Sequence, residues 1–154
     1  MGGAVLGGTF DRFHRGHEHL LEAAFTRRRR VAIGLTSDFL VARLKKHPSV
    51  EPYAKRKNAL EDYLREKGYA ERARVVKIHT PYGVAPYLAD LDLIVVTENT
   101  VKRAVEINVI RKDSEYGELD VVCVETILAE DGKPISSTRI RNGEIDRDGR
   151  LLRS

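Results

Sequence analysis

Two histidines follow the first apolar segment of the chain. His14 and His17 have Gly16 between them and come after the pair Gly7-Gly8. A glycine-rich turn lets backbone amides approach a phosphate, and the free amides at a helix start favour anions. The spacing fits neither a P-loop nor the dinucleotide fingerprint. The pattern predicts two imidazoles flanking one phosphate group. The alternative is a glycine-rich turn with two solvent-facing histidines.

A run of hydroxyl and cationic side chains near the C-terminus could form a second phosphate site. The run is Ile135-Ser136-Ser137-Thr138-Arg139-Ile140-Arg141. A helix that starts near Ser136 or Ser137 would present free amides and hydroxyls to an anion. Arg139 or Arg141 could add charge-assisted hydrogen bonds to a polyphosphate. The alternative is an ordinary serine cap before a short C-terminal helix.

Composition limits the classes of protein to which the chain could belong. Its 154 residues correspond to one domain, and its net charge of +4 is too small to indicate a nucleic-acid binder. The single cysteine, Cys123, excludes an internal disulfide and a cysteine-based zinc site. No apolar run is long enough for a bilayer and the N-terminus does not resemble a signal peptide, so we expect a cytoplasmic protein without membrane or nucleic-acid partners. The lack of Gln and the use of Met only as the initiator favour a thermophilic source.

Short apolar runs alternate with helical periodicity along most of the chain. Strands are predicted at 4–6, 31–35, 74–79, 93–97 and 119–124, with helices between most of them. This order predicts one α/β domain over residues 1–154, with a doubly wound five-stranded parallel sheet of Rossmann-like type. Ligands of such sheets bind beyond the carboxyl ends of the strands, so the candidate site segments are those just after each strand: 7–17, 35–46, 79–83, 97–102 and the segment after Asp131.

The two phosphate motifs together resemble the nucleotidyltransferase superfamily with the H-x-G-H signature. Further segments are similar to the archaeal and eukaryotic-type phosphopantetheine adenylyltransferases, and the resemblance covers roughly residues 4–150. These segments are Gly8-Thr9-Phe10-Asp11, Gly34-Leu35-Thr36-Ser37-Asp38, Thr97-Glu98-x-Thr100, Ile107-Asn108-x-Ile110-Arg111 and Gly143-Glu144-Ile145-Asp146.

The resemblance implies transfer of AMP from ATP to 4′-phosphopantetheine, giving dephospho-coenzyme A and pyrophosphate. Mg²⁺ is expected on the ATP phosphates, with no metal ligand from the protein. The acceptor is a phosphate monoester that is largely anionic at pH 7, so no general base is needed. Alignment and neutralisation of charge remain as the protein's task.

The family pattern assigns roles to individual residues. His17 would donate to the transition-state phosphate oxygens, His14 would contact neighbouring phosphate oxygens, and Lys45 or Lys46 would bridge acceptor and α-phosphate. The catalytic residues are thus His17, His14 and Lys45. The residues expected to bind ATP are Gly8, Thr9, Phe10, His17, Thr97, Glu98, Ser136, Ser137, Thr138, Arg139 and Arg141. Those expected to bind the acceptor are Thr9, Asp11, Thr36, Asp38, Lys45, Lys46 and His79.

Some of these assignments have an alternative. Glu98 could hold a ribose hydroxyl or simply act as an acidic residue at a helix start, and His79 could be structural. An NMN adenylyltransferase, a glycerol-phosphate cytidylyltransferase or an FAD synthetase could carry similar phosphate motifs. A non-catalytic nucleotide-binding domain is the alternative from another class. The oligomeric state stays open.

Overall fold

Five parallel strands form one sheet with the spatial order β3-β2-β1-β4-β5. The computed structural model describes residues 2–44 and 49–152, so Lys45 and Lys46 lie outside the described residues. The strands are β1 (Gly3–Gly8), β2 (Val31–Thr36), β3 (Ala73–Ile78), β4 (Leu91–Val96) and β5 (Asp120–Cys123). The predicted doubly wound α/β sheet is confirmed.

The helices lie on both faces of this sheet. They are α1 (Arg15–Phe25), α2 (Asp38–Arg43), α3 (Tyr53–Glu66), α4 (Val101–Asp113) and α5 (Ser137–Arg141). No helix in the described ranges is long and apolar enough to cross a membrane.

Alternation along the inner strands separates two apolar cores. Ala4 and Leu6 of β1 face a core that α1 and α3 complete, whereas Val5 faces a second core with Ala104 and Ile107 of α4. All six residues of β2 are buried, as expected for a parallel strand covered on both faces. β1 is the central strand of the sheet. Because successive side chains of a strand point to opposite faces, its side chains contact both cores.

The strand order reverses between β1 and β4. From β1 the chain adds β2 and then β3 on one side, and it then crosses back through turns at 79–90 to place β4 on the other side. The carboxyl ends of β1 and β4 therefore flank the topological switch point, where ligands of such sheets bind.

The C-terminal segment forms a small unit with its own core. Ala129, Ile135 and Ile145 are buried together, and α5 lies within this segment. The Arg15 amide donates to the Arg147 carbonyl oxygen at 3.1 Å, which fastens the segment to the start of α1. The second phosphate motif is thus brought to the first.

Candidate active site

A cavity of about 520 Å³ opens at the carboxyl ends of the strands, at the switch point. Its size lies within the range typical of small-molecule sites. It brings together residues from both predicted phosphate motifs and from the turns after β2 and β4. The predicted site residues that line it are Gly8, Thr9, Phe10, His14, His17, Thr36, Thr97, Ser136 and Ser137.

The two histidines form a reciprocal cap at the start of α1. The Gly16 amide donates to Nδ1 of His14 at 3.1 Å, and the His14 amide donates to Nδ1 of His17 at 3.1 Å. The two rings stack with their centroids 3.7 Å apart. Because both Nδ1 atoms accept, each neutral ring carries its proton on Nε2. Two Nε2–H donors are therefore fixed by the local backbone, and both residues line the cavity.

Burial keeps both rings neutral near pH 7. It lowers the pKa of His14 from 6.5 to about 4, with a further lowering by Arg147 and an opposing effect of Asp11. Burial also lowers the pKa of His17 well below its usual value, and the neighbouring His14 lowers it further. The His17 ring lies 5.1 Å from that of Phe10 and 5.4 Å from that of Phe13, measured between centroids. Neutral donors of this kind suit transition-state stabilisation better than proton transfer.

The lowered pKa of His14 makes stability depend on pH. Between about pH 6.5 and pH 4 the unfolded chain binds a proton at this residue that the native state does not bind. Acidification therefore favours unfolding, and we expect His14 alone to remove about 2 kcal/mol of unfolding free energy between pH 7 and pH 4.5. Proton NMR titration of His14 should give a midpoint near 4. A midpoint near 6.5 would contradict the buried, neutral imidazole.

The glycine between the histidines is required by contact with His14. A Cβ at Gly16 would lie 2.9 Å from Cε1 and 3.1 Å from Nδ1 of the His14 ring. We expect Gly16→Ala to push this ring aside and to lower kcat about tenfold, since small misplacements are costly in catalysis. Gly117→Ala is the matched control, because a Cβ there has no neighbour within 4 Å. Equal steady-state rates for both variants would contradict this explanation.

A strained turn joins β1 to the histidines. Phe10 and Arg12 adopt φ angles of 52° and 48°, a region that is unfavourable for residues with a side chain. The carboxylate of Asp11, between them, is buried and accepts from Arg12 Nη1 at 2.9 Å and from the Glu51 amide at 2.9 Å. The Asp11 carboxylate thus holds the turn rather than lining the cavity.

The same aspartate connects the two phosphate motifs. The hydroxyl of Ser137 donates to the Asp11 carbonyl oxygen at 2.6 Å, and Arg141 Nη1 donates to the Asp11 carboxylate at 3.0 Å. Ser136 caps α5 by accepting from the Arg139 amide at 3.2 Å. Ser136 is therefore a helix cap, which was the alternative for the serine motif. Ser136 and Ser137 also both line the cavity.

Both arginines of the second motif already have partners in the protein. Arg139 pairs with Asp131 and with Glu144, and Arg141 pairs with Asp11 and donates to the Thr138 hydroxyl at 3.1 Å. Their direct contact with a polyphosphate stays a prediction. The contacts give each of them a second role in holding the C-terminal segment in place.

Several other predicted residues lie outside the lining of the cavity. Asp38 accepts from Arg56 Nη2 and from the Tyr53 amide, both at 3.0 Å, so its side chain is engaged at the start of α3. Glu98, Thr138 and His79 are not part of the described lining either. Their proposed substrate contacts stay predictions.

The cavity also contains residues that the sequence patterns did not indicate. Arg103, in the first turn of α4, lines it and forms no ion pair within the described part of the chain. Ile78 and Val84 add to an aromatic and aliphatic wall that also contains Leu40 and Tyr82, from segments that the sequence does place beside the site. Their sequence signal is weak, since only their position just after a strand, or in the helix that follows one, distinguishes them from other surface or core residues.

Comparison with known proteins places the chain in a family. The profile of the cytidylyltransferase-like family matches residues 5–143. Phosphopantetheine adenylyltransferase from Methanothermobacter thermautotrophicus is 43% identical over 149 residues, which span 97% of this chain and 88% of that protein. The enzyme of the same name from Methanosarcina barkeri is 45% identical over 153 residues, spanning 97% of this chain and 92% of that protein.

Solved structures agree on the fold. A protein of unknown function from Archaeoglobus fulgidus superposes with a TM-score of 0.71 at 31% identity, covering 87% of this chain and 99% of that one. A bifunctional NMN adenylyltransferase/ADP ribose pyrophosphatase from Francisella tularensis, in complex with AMP and a manganese ion, gives 0.61 at 17% identity and covers 92% of this chain and 41% of that one. The fold, the phosphate motifs and the sequence similarity all indicate the same family. The chain belongs to the cytidylyltransferase-like family and, within it, to the archaeal-type phosphopantetheine adenylyltransferases.

Proposed function

We propose that the protein transfers AMP from ATP to the phosphate of 4′-phosphopantetheine. An oxygen of the acceptor phosphate attacks the α-phosphorus of ATP, the bond from that phosphorus to the bridging oxygen breaks, and pyrophosphate leaves. The products are dephospho-coenzyme A and pyrophosphate. The observation that carries the proposal is that residues of both phosphate motifs line one cavity. A hydrogen bond from the Ser137 hydroxyl to the Asp11 carbonyl oxygen joins the two motifs there.

The two histidines would act on the α-phosphate. Their free Nε2–H groups are donors that need no reorientation during the reaction, because the backbone fixes both rings. Negative charge on the α-phosphate oxygens rearranges as the acceptor arrives and pyrophosphate departs, and preorganised donors stabilise it. The acceptor needs no deprotonation at neutral pH, so the neutral state of the histidines does not hinder the reaction.

The acceptor would lie between the turns after β1 and β2. Thr9 and Thr36 flank this part of the cavity, and the apolar side chains of Leu40, Ile78 and Val84 suit the largely uncharged pantetheine arm. The lysine that would bridge acceptor and α-phosphate is Lys45 or Lys46, and both lie outside the described residues, directly after Leu44 in the sequence.

The nucleotide would occupy the other side. Ser136 and Ser137 offer hydroxyls for the β- and γ-phosphates, and Arg103 offers a positive charge. Backbone near Thr97 and Thr100 would contact adenine. Mg²⁺ would neutralise the triphosphate. Its oxygen ligands would be the ATP phosphates and water.

Pyrophosphate release tests the proposal. The purified protein is incubated with Mg²⁺ and either ATP or CTP, against 4′-phosphopantetheine, NMN, FMN and glycerol 3-phosphate. We expect turnover with ATP and 4′-phosphopantetheine to exceed that with every other pair. Preference for NMN, FMN or CTP would assign one of the other nucleotidyltransferase activities. Nucleotide binding without turnover of any pair would indicate the non-catalytic alternative.

A further inference from the structure

A fully buried arginine lies beneath the acceptor side of the cavity. Arg56, in the first turn of α3, has no solvent exposure. Its Nη1 donates to the carbonyl oxygens of Thr9 at 2.9 Å and Thr36 at 2.8 Å. Its Nη2 donates to Asp38 at 3.0 Å, and its Nε donates to the Glu51 carbonyl oxygen at 2.7 Å. One guanidinium group therefore joins three parts of the chain: the turn after β1, residues 36–38 at the end of β2, and the segment that leads into α3.

Two of these acceptors belong to residues that line the cavity. Thr9 follows β1 and Thr36 ends β2, and both contribute to the wall around the proposed acceptor phosphate. The Thr36 hydroxyl also donates to the Gly8 carbonyl oxygen at 2.9 Å. Nη1 of Arg56 bridges the two turns at their backbones. The separation of these turns then depends on where the guanidinium is held.

The location of this charge is energetically unfavourable for folding alone. Burial removes the guanidinium from water, and its position in the first turn of a helix sets it against the positive end of the helix dipole. Among the described residues its ionic partner is Asp38, whose side chain is 64% exposed. Hydrogen bonds to four protein oxygens oppose these costs, and two of those oxygens belong to residues that line the cavity, so the position of the guanidinium is tied to the geometry of the site.

We propose that Arg56 is a positioning residue that fixes the distance between the turns after β1 and β2, and thereby aligns the acceptor phosphate with the α-phosphate of ATP. The residue contacts no substrate, because each of its three side-chain nitrogen atoms donates to a protein oxygen and the side chain is fully buried. The inference rests on the proposed function, since it concerns the geometry of the same cavity.

Another arginine of the chain provides a matched control. Arg111 of α4 is also buried, and its guanidinium donates to the carbonyl oxygens of Gly117, Ala85, Leu88 and Leu91 at 2.7 to 3.0 Å. Three of these four acceptors lie outside the cavity lining, and none follows β1 or β2. The two arginines thus share burial and hydrogen-bond chemistry but differ in what they join.

The experiment compares Arg56→Lys with Arg111→Lys. Lysine keeps the charge but cannot bridge several carbonyl groups in one plane. We expect both variants to lose thermal stability, and only Arg56→Lys to lose about 10²-fold in kcat, since misalignment of the reacting groups by about 1 Å has that effect. Calorimetric ATP affinity should stay close to that of the wild type in both. Equal kcat losses in the two variants, or an unchanged kcat in Arg56→Lys, would overturn the proposal.

A second variant decides the matter if Arg56→Lys does not fold. Asp38→Ala removes the acceptor of Arg56 Nη2 and of the Tyr53 amide at an exposed position. The guanidinium is then held less firmly, so we expect a severalfold lower kcat at unchanged ATP affinity and at an unchanged KM for 4′-phosphopantetheine, which loss of a direct contact between Asp38 and the acceptor would raise. An unchanged kcat here overturns the proposal, whereas a wild type inactive with every substrate pair refutes the proposed function instead.

Discussion

We expect His17→Ala to lower kcat by about 10²–10³-fold, the usual effect of removing one donor from a preorganised anion site. Nε2–H of His17 is free to donate because its Nδ1 accepts from the His14 amide. The lost donor acts on charge that rearranges at the α-phosphate during transfer, so the transition state loses more stabilisation than bound ATP does. The Kd for ATP should therefore change little.

Steady-state kinetics and calorimetric titration with ATP check this result. His19→Ala is the control, because His19 lies two residues further along α1 and outside the lining of the cavity. Its kcat should equal that of the wild type. A His17→Ala variant with normal kcat and a raised KM for ATP would mean that the imidazole binds only the ground-state phosphates. Loss of the capping bond from the His14 amide also lowers stability by about 1 kcal/mol, so rates are compared well below the Tm.

Asp11→Ala should have the largest effect on stability. The variant leaves Arg141, whose side chain is 10% exposed, without its carboxylate, and it removes the acceptor of Arg12 and of the Glu51 amide. Removing one partner of a buried ion pair typically costs about 3–5 kcal/mol. The turn with positive φ at Phe10 and Arg12 also loses the bonds that hold it. We expect kcat to fall as well, because both phosphate motifs then lose their common support.

Urea unfolding and thermal melting measure this loss. The control is Asp92→Ala, which removes the carboxylate of an ion pair with Arg28. The side chain of Arg28 is 30% exposed and that of Asp92 is 47% exposed. Exposed pairs contribute about 0–1 kcal/mol, so the control should melt close to the wild type. An Asp11→Ala protein as stable as Asp92→Ala would show that Asp11 does not hold the turn and the C-terminal segment together.

The sequence was informative wherever the relevant pattern is local. The apolar run of β2 and the helical spacing in α1 predict a strand and a helix. His14, Gly16 and His17 predict a phosphate-binding turn, because all the residues that form the cap lie within four positions of the sequence. The family resemblance then supplied the meeting of the two motifs. Sequence spacing alone could not supply the bond from Ser137 to Asp11, which joins residues 126 positions apart.

The supporting residues were the harder part. The expected contact of Asp11 with the acceptor stays a prediction, and its pairing with Arg12 and Arg141 is a role that sequence patterns do not show. Arg56 and Arg103 gave no signal, since a single arginine in the first turn of a helix resembles any solvated surface cation. Burial and partners decide the role of such residues, and both are set by distant segments of the chain.

The hydrogen bond between Ser137 and Asp11 affects the order in which the site forms during synthesis and folding. A ribosome delivers β1, the histidine turn and all five strands before it delivers α5, so a growing chain can form its sheet while half of the phosphate site is still unsynthesised. Contacts between residues far apart in sequence also form late in folding, because their loop-closure entropy is large. The second phosphate motif can therefore join the first only after all five strands have been synthesised.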